Sequence, residues 1–239
     1  MKFFLCILLA PLPSLIWLTF YLRKDKHPEP NRMIIKVFLF GALMVPVAGI
    51  LEQGLAFLSE KISFLNNLTF IVISFALIEE ILKYLTVKFG VFKNREFDEP
   101  ADAMLYMIIA ALGFAAAENI YILSQIYTAA GSLREIIETT VTRFLGATFL
   151  HALASGIFGY FIAASLLIGS KIRKTLVLGG ALAATMLHSI FNYIIILNSQ
   201  QFINIGERNL YLFIILSITA VVVSLLFRKL CKYRSICKL

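Results

Sequence analysis

The chain has 239 residues, of which 60% are hydrophobic and only 15% charged, with a formal net charge of +8 and a mean hydropathy of +0.87. That is more apolar side chain than a soluble core of this length can hide, so a water-soluble fold is excluded and the solvent is lipid. The basic residues are spread over separate segments rather than gathered in one patch, which argues against a nucleic-acid partner and for anionic lipid headgroups.

A bilayer core about 30 Å thick needs roughly 20 apolar residues per helix. Seven such segments follow one another: Phe3–Leu22, Ile34–Leu58, Leu68–Lys88, Ala103–Leu123, Phe144–Ile168, Thr175–Leu197 and Leu210–Phe227. The first begins like a signal peptide, but Pro11 and Pro13 interrupt it, no small-x-small cleavage site follows, and the basic stop Arg23–Lys26 fits a retained span. The intervening breaks, Arg23–Arg32, Ser59–Asn67, Phe89–Asp102, Ser124–Arg143, Gly169–Lys174 and Asn198–Asn209, are polar and too short for a soluble domain. No internal repeat is visible. The expected fold is an all-α polytopic membrane bundle of about seven helices, one domain over residues 1–239. All but five of the 22 Lys and Arg (Lys2, Lys61, Arg134, Arg143 and Arg208) fall on one side of this arrangement. Basic residues are retained on the cytoplasmic face, so the N-terminus is expected outside and the C-terminus inside. Cys6, Cys231 and Cys237 are too few and scattered for a disulfide framework. The last two fall in the expected cytoplasmic tail, where thiols stay reduced, and Cys231 is read as a free thiol in preference to a palmitoylated one.

A charge at mid-bilayer costs about 2.5–3.5 kcal/mol even on the lenient insertion scale, so each one needs a reason. Six ionisable residues stand out within the spans: Glu79, Glu80, Lys83, Glu118, His151 and His188. In the third span Lys83 lies four residues after Glu79 and three after Glu80, within helical reach of both. Adjacent carboxylates point about 100° apart on a helix, so one can face a cavity while the other holds a neighbour. A buried Glu–Lys clasp pinning two helices would explain one glutamate and leave the second idle. In the fourth span Glu118 and Asn119 follow the small-residue run Gly113–Ala117, which suits either a packing seam with a polar clasp or a place in the site. His151 has Ser155 one turn later, and His188 has Asn192 one turn later, placed to orient the ring or to bond the same substrate.

At about 1.5 Å per residue across a core of about 30 Å, Glu79 sits roughly 14 Å from the cytoplasmic side, His151 roughly 18–20 Å, His188 roughly 20 Å and Glu118 roughly 23 Å. Four helices thus contribute an ionisable residue to one layer about 10 Å thick. A carboxylate that takes a proton from water, with histidines to steady that water or an oxyanion, is what amide hydrolysis requires.

Glu79-Glu80-x-x-Lys83, Gly113-Phe114-Ala115-x-x-Glu118-Asn119, His151 followed by small residues, and His188-x-x-x-Asn192, in that order, resemble the PrsW-type intramembrane proteases, relatives of the CAAX prenyl endopeptidases. The likeness covers about half the chain. It implies a multi-pass bacterial cell-membrane endopeptidase that cuts membrane-anchored proteins with a glutamate-activated water, acting first on anti-sigma factors. Under it, Glu79 and Glu80 supply the general base and its partner, His188 stabilises water or oxyanion, and His151 assists. Lys83, Glu118, Asn119 and Asn192 are supporting or substrate-binding positions. Lys83 stands one position earlier than the arginine of the prenyl endopeptidases, so prenyl specificity does not carry over.

Four rivals remain, one of them a non-catalytic receptor or assembly subunit, which would tolerate Glu79→Gln. A rhomboid-like serine protease would use Ser155 and His188, but Leu153 occupies the first glycine of the Gly-x-Ser-Gly turn and the glutamates would be idle. A zinc site can be made from two His and a Glu, but no His-Glu-x-x-His occurs and the ligands would come from three helices, so a metal-free site without cofactor is expected. A proton-coupled transporter or channel also uses buried Glu, His and Lys, yet would usually show repeated halves and broken spans.

Overall fold

Proline and glycine decide where the helices of this chain break. The computed structural model describes residues 2–25, 27–62, 65–168 and 170–233; Cys237 lies outside the described residues. Among these the elements are helices: α1 (Lys2–Leu9), α2 (Leu12–Leu22), α3 (Asn31–Lys61), α4 (Leu68–Gly90), α5 (Pro100–Thr128), α6 (Leu133–Leu145), α7 (Ala147–Leu167), α8 (Ser170–Ser199) and α9 (Ile205–Leu230). The expected first span is therefore two helices, because Pro11 and Pro13 sit where a continuous helix would need backbone donors.

Five helical stretches combine the length and the apolar composition of a membrane crossing: α3, α5, α6 with α7, most of α8, and α9. The chain is thus a multi-pass membrane protein. At 23 residues α4 is long as well, but it carries Glu79, Glu80, Lys83 and Lys88. The polar break expected at Ser124–Arg143 contains the helix α6. Its charges, Arg134, Glu135, Glu138 and Arg143, masked a periodic apolar stripe made by Leu133, Ile137, Val141 and Leu145. Gly146 then turns the chain sharply (φ −108°, ψ −97°) and α7 begins.

Local chemistry fixes the helix starts. The Asn67 side chain accepts from Thr69 N at 2.8 Å at the start of α4, and Ser132 Oγ accepts from Glu135 N at 3.1 Å at the start of α6. Asp102 Oδ2 accepts from Asp98 N (3.0 Å) and Glu99 N (2.7 Å) ahead of α5, while Asn204 and Glu207 make a reciprocal capping box on α9. These side chains satisfy amides that have no partner within the helix.

The centre of the molecule is α5. Every residue from Pro100 to Ala116 is buried, with α7 and α3 as its most extensive neighbours and α2, α4 and α9 also against it. Small residues permit this enclosure. A Cβ at Gly113 would stand 1.9 Å from Phe38 O, and one at Gly41 would stand 2.1 Å from Ala110 O, so α3 and α5 touch backbone to backbone. Large apolar residues elsewhere face outward, among them Ile50, Leu178, Met186 and Phe213, as expected of surface in contact with lipid tails.

Candidate active site

The intramembrane charges meet at one place, where α4, α5, α7 and α8 converge. On α4 the 100° step between adjacent residues separates the two glutamates as expected. Glu79 is 8% exposed and lines a cavity of ≈ 810 Å³, whereas Glu80 is fully buried. Lys83, also fully buried, donates to Glu80 Oε1 at 2.7 Å and to His151 Nδ1 at 2.9 Å, and stands 3.4 Å from Glu79 Oε2. Its three ammonium protons are thereby used.

Glu80 is the hub that the sequence implied for one of the pair. Besides Lys83, it accepts from Ser155 Oγ at 2.8 Å through Oε2 and from His188 Nδ1 at 3.1 Å through Oε1. This bond places the proton of His188 on Nδ1 and leaves Nε2 as an acceptor, 3.9 Å from Glu79 Oε2. Both facing atoms are acceptors at a separation too long for a direct bond. The gap suits a group that donates to both, and water is such a group.

His151 is held differently. Its Nδ1 accepts from Lys83, so its Nε2–H donates to Glu118 Oε2 at 2.9 Å. Both ring nitrogens are occupied, although the ring packs edge-on against His188 with centroids 4.9 Å apart. Glu118 is further fixed by Arg143 Nη2 at 2.7 Å. Arg143 comes from the last turn of α6, a segment read from sequence as a polar break, and was missed for that reason. Arg143 Nε also donates to Asn119 Oδ1. Asn119 in turn donates to Ala10 O and Thr148 Oγ1, both at 3.1 Å. Asn119 is therefore a tie between α5, the α1–α2 junction and α7, buried away from the cavity surface. Asn192 lies one turn beyond His188 and lines the cavity.

Charge accounting singles out one group. Lys83 lies closest to Glu80 and Arg143 pairs with Glu118, so Glu79, which only shares Lys83 at 3.4 Å, has no cation of its own; like Glu118, it lines the cavity. A fourth acid, Glu52 of α3, escaped the sequence reading. Its Oε1 is buried with no hydrogen-bond partner among the described residues, and it lies within electrostatic range of Glu79, Glu118, His188 and Lys83. Its lone position, with no ionisable residue three or four places away on its turn inside the helix core, gave no pattern to read.

Ser155 and His188 do not form a dyad. Ser155 is fully buried and spends its hydroxyl proton on Glu80, so it lacks both the base and the access that a nucleophile needs. Glu79, His151 and His188 each offer one donor atom within 4.8 Å of the others, the outline of a metal site. A catalytic zinc takes three protein ligands. Here the Lys83 ammonium stands against two of the three residues, 2.9 Å from His151 Nδ1 and 3.4 Å from Glu79 Oε2. An ion held by all three would have to displace that ammonium.

Comparison with known proteins gives a consistent result. Residues 29–225 match the family described as PrsW family intramembrane metalloprotease. The chain is 31% identical over 177 residues to the protease PrsW of Geobacillus kaustophilus, covering 74% of this chain and 73% of that protein. It is 30% identical over 183 residues to the protease PrsW of Oceanobacillus iheyensis (77% and 79% covered). With that of Halalkalibacterium halodurans it shares 29% identity over 195 residues (82% and 84% covered). No solved structure matches the chain.

Proposed function

Because the chain belongs to the PrsW family of intramembrane proteases, we propose that it hydrolyses a peptide bond of a membrane-anchored protein with a water activated by Glu79. The observation that carries this reading is the pair of facing acceptors, Glu79 Oε2 and His188 Nε2, 3.9 Å apart on the wall of the cavity. A water donating to both is oriented with its lone pair toward the cavity. Glu79, the carboxylate without its own cation, takes the proton as the oxygen attacks the carbonyl carbon, and then delivers it to the departing amine nitrogen. Glu80 holds His188 in the tautomer that receives the water, and Asn192 supplies an amide N–H toward the developing oxyanion. His151, with both nitrogens engaged, positions Lys83 and Glu118. The remaining polar residues, Lys83, Glu118, Arg143 and Asn119, keep the wall rigid.

The reading includes a topology. The broken helix α1–α2 counts as the first crossing and α4 as the third, giving seven, with the N-terminus outside. Glu79 then lies about 16 Å from the outer end of α4, at 1.5 Å per residue over the eleven residues from Leu68. The cavity runs toward that same side, where Arg208 and Asn209 of α9 line it. A substrate cut on its outer juxtamembrane segment fits this placement, and a membrane-bound anti-sigma factor is the substrate class proposed.

A second reading, a metal-dependent peptidase, draws on the description of the family as metalloproteases and on the Glu79–His151–His188 trio. It requires Lys83 to leave His151. Purified protein in liposomes, offered single-span membrane peptides with product analysis by mass spectrometry, tests both. Cleavage lost in Glu79→Gln and His188→Ala, but retained in Ser155→Ala and under chelation, is the expected result. Loss under chelation with recovery on adding zinc would replace the first reading by the second. Identical peptides from wild type and Glu79→Gln would overturn proteolysis by this site.

A further inference from the structure

The mechanism uses the polar floor of the cavity and leaves its apolar wall unexplained. That wall is built around Trp17, the single tryptophan of the chain, contributed by the broken N-terminal helix. Its indole stacks on Phe149 (centroids 4.1 Å apart, planes 11° apart) and on Phe144 (5.4 Å, 26°). Its Nε1–H donates to Phe144 O at 2.9 Å, a carbonyl in the last turn of α6 that Gly146 leaves without its helical continuation. Across the elbow, Phe191 packs against Gly146, where a Cβ would come to 3.4 Å from its Cζ. Trp17, Phe149 and Phe191 line the same cavity as Glu79, His151 and His188.

We infer that Trp17, Phe149 and Phe191 form the subsite for a large apolar side chain flanking the scissile bond, so that the substrate is an unwound, apolar juxtamembrane segment. This deepens the proteolytic reading and rests on it. The geometry supports the assignment in three ways. Phe191 follows His188 by three residues on α8 and Phe149 precedes His151 by two on α7, so two of the rings sit on the helices that carry the histidines of the site. A cavity of ≈ 810 Å³ is of the size that encloses several residues of extended peptide rather than one side chain. Finally, the indole N–H, the one hydrogen-bonding group of the Trp17 side chain, is already committed to Phe144 O, so the face left to the cavity is apolar. A charged side chain laid against the three rings would lose its water and find no partner on them, whereas an aliphatic or aromatic one would bury its surface.

Two measurements on the full-length protein test this. In the first, Trp17 emission is followed in liposomes with the Glu79→Gln variant while tryptophan-free single-span peptides are added, identical except for Leu, Ala or Asp at the position flanking the cut. The Leu peptide is expected to shift the emission, and the Asp peptide to require about tenfold or more higher concentration. In the second, cleavage of the same series is compared in wild type, Trp17→Phe and Trp17→Ala. Trp17→Ala is expected to change the Leu-to-Ala preference by about tenfold, with Trp17→Phe close to wild type. If Trp17→Ala lowers cleavage of every peptide by the same factor, Trp17 only props the elbow and the inference is wrong while the proteolytic reading stands. If wild type cleaves nothing, the reading itself fails. Emission that does not distinguish Leu from Asp while bound peptide is seen by its own label overturns the subsite in either case.

Discussion

Replacing Lys83 by Met removes the one cation that joins α4 to α7 without greatly changing side-chain length. The ammonium is fully buried and holds Glu80 at 2.7 Å and His151 at 2.9 Å, with Glu79 at 3.4 Å. At an effective dielectric near 20, unit charges about 4 Å apart interact by about 4 kcal/mol. Breaking a buried pair by deleting one partner leaves the other charge in low dielectric, typically at a cost of about 3–5 kcal/mol. Lys83→Met is therefore expected to destabilise the protein by about 4 kcal/mol, measured by denaturant unfolding in detergent with Trp17 emission as probe. Glu80→Gln alone leaves Lys83 its contact with Glu79 and should cost less. The double variant Lys83→Met/Glu80→Gln removes both charges together and should recover about half of the Lys83→Met loss, a coupling in a double-mutant cycle of about 2 kcal/mol plus the cost of Glu80→Gln alone. Strict additivity, or a single-variant cost under about 1 kcal/mol, would refute the claim that this pair is a desolvated clasp.

Other perturbations have equally definite outcomes. Gly113→Ala drives a methyl to 1.9 Å from Phe38 O, a backbone atom that cannot swing aside; it should cost about 3 kcal/mol or prevent assembly, read as loss of monodisperse protein on size exclusion. Glu29, in the segment ahead of α3, accepts from Tyr106 OH at 2.5 Å, but burial, with Asp102 and Asp25 nearby, pushes its carboxyl up from 4.5 to about 8. Its folded pKa is raised, so its contribution to stability is fully present below about 4.5 and lost as pH rises through about 8. Wild type should lose on the order of 1 kcal/mol more than Glu29→Gln between pH 5 and 8, followed by unfolding midpoint against pH. Ser155→Ala deletes one donor to Glu80 and should lower stability by about 1–2 kcal/mol while cleavage persists. Complete loss of cleavage in a folded Ser155→Ala protein would revive a serine nucleophile.

Much of the site was legible because helices are ruled by simple spacings. The positions of Glu79, Glu80 and Lys83 on one turn and a half determine that the lysine can touch both acids and that the acids diverge. Depth at 1.5 Å per residue brought Glu79, Glu118, His151 and His188 to one level, and the structure places His151 between Glu79 and Glu118 and His188 opposite Glu79. What escaped lay where the apolar signal is interrupted. Arg143 belongs to a helix whose charges made it read as a loop, and Trp17 to a span whose prolines split it. Asn119 carried the right motif, but which face of α5 it occupies depends on neighbours that a single sequence does not rank. Glu52 had no companion within a turn to mark it.

The enclosure of α5 has a consequence for biosynthesis. A helix hidden from lipid on nearly all sides in the finished protein must first enter the bilayer with those sides bare, since α7, α8 and α9 have not yet been made. During that interval Met104, Met107 and Ile108, which end against Gly159 and Gly156 of α7, face acyl chains, while Gly113 already has Phe38 of α3 and Tyr106 has Glu29, already synthesised, to take its hydroxyl proton. The N-terminal part of the chain thus acts as a temporary cradle for α5. Arrest of translation after Thr128 should leave an intermediate that quality-control proteases recognise, and the arrival of α7 is the step that ends its exposure.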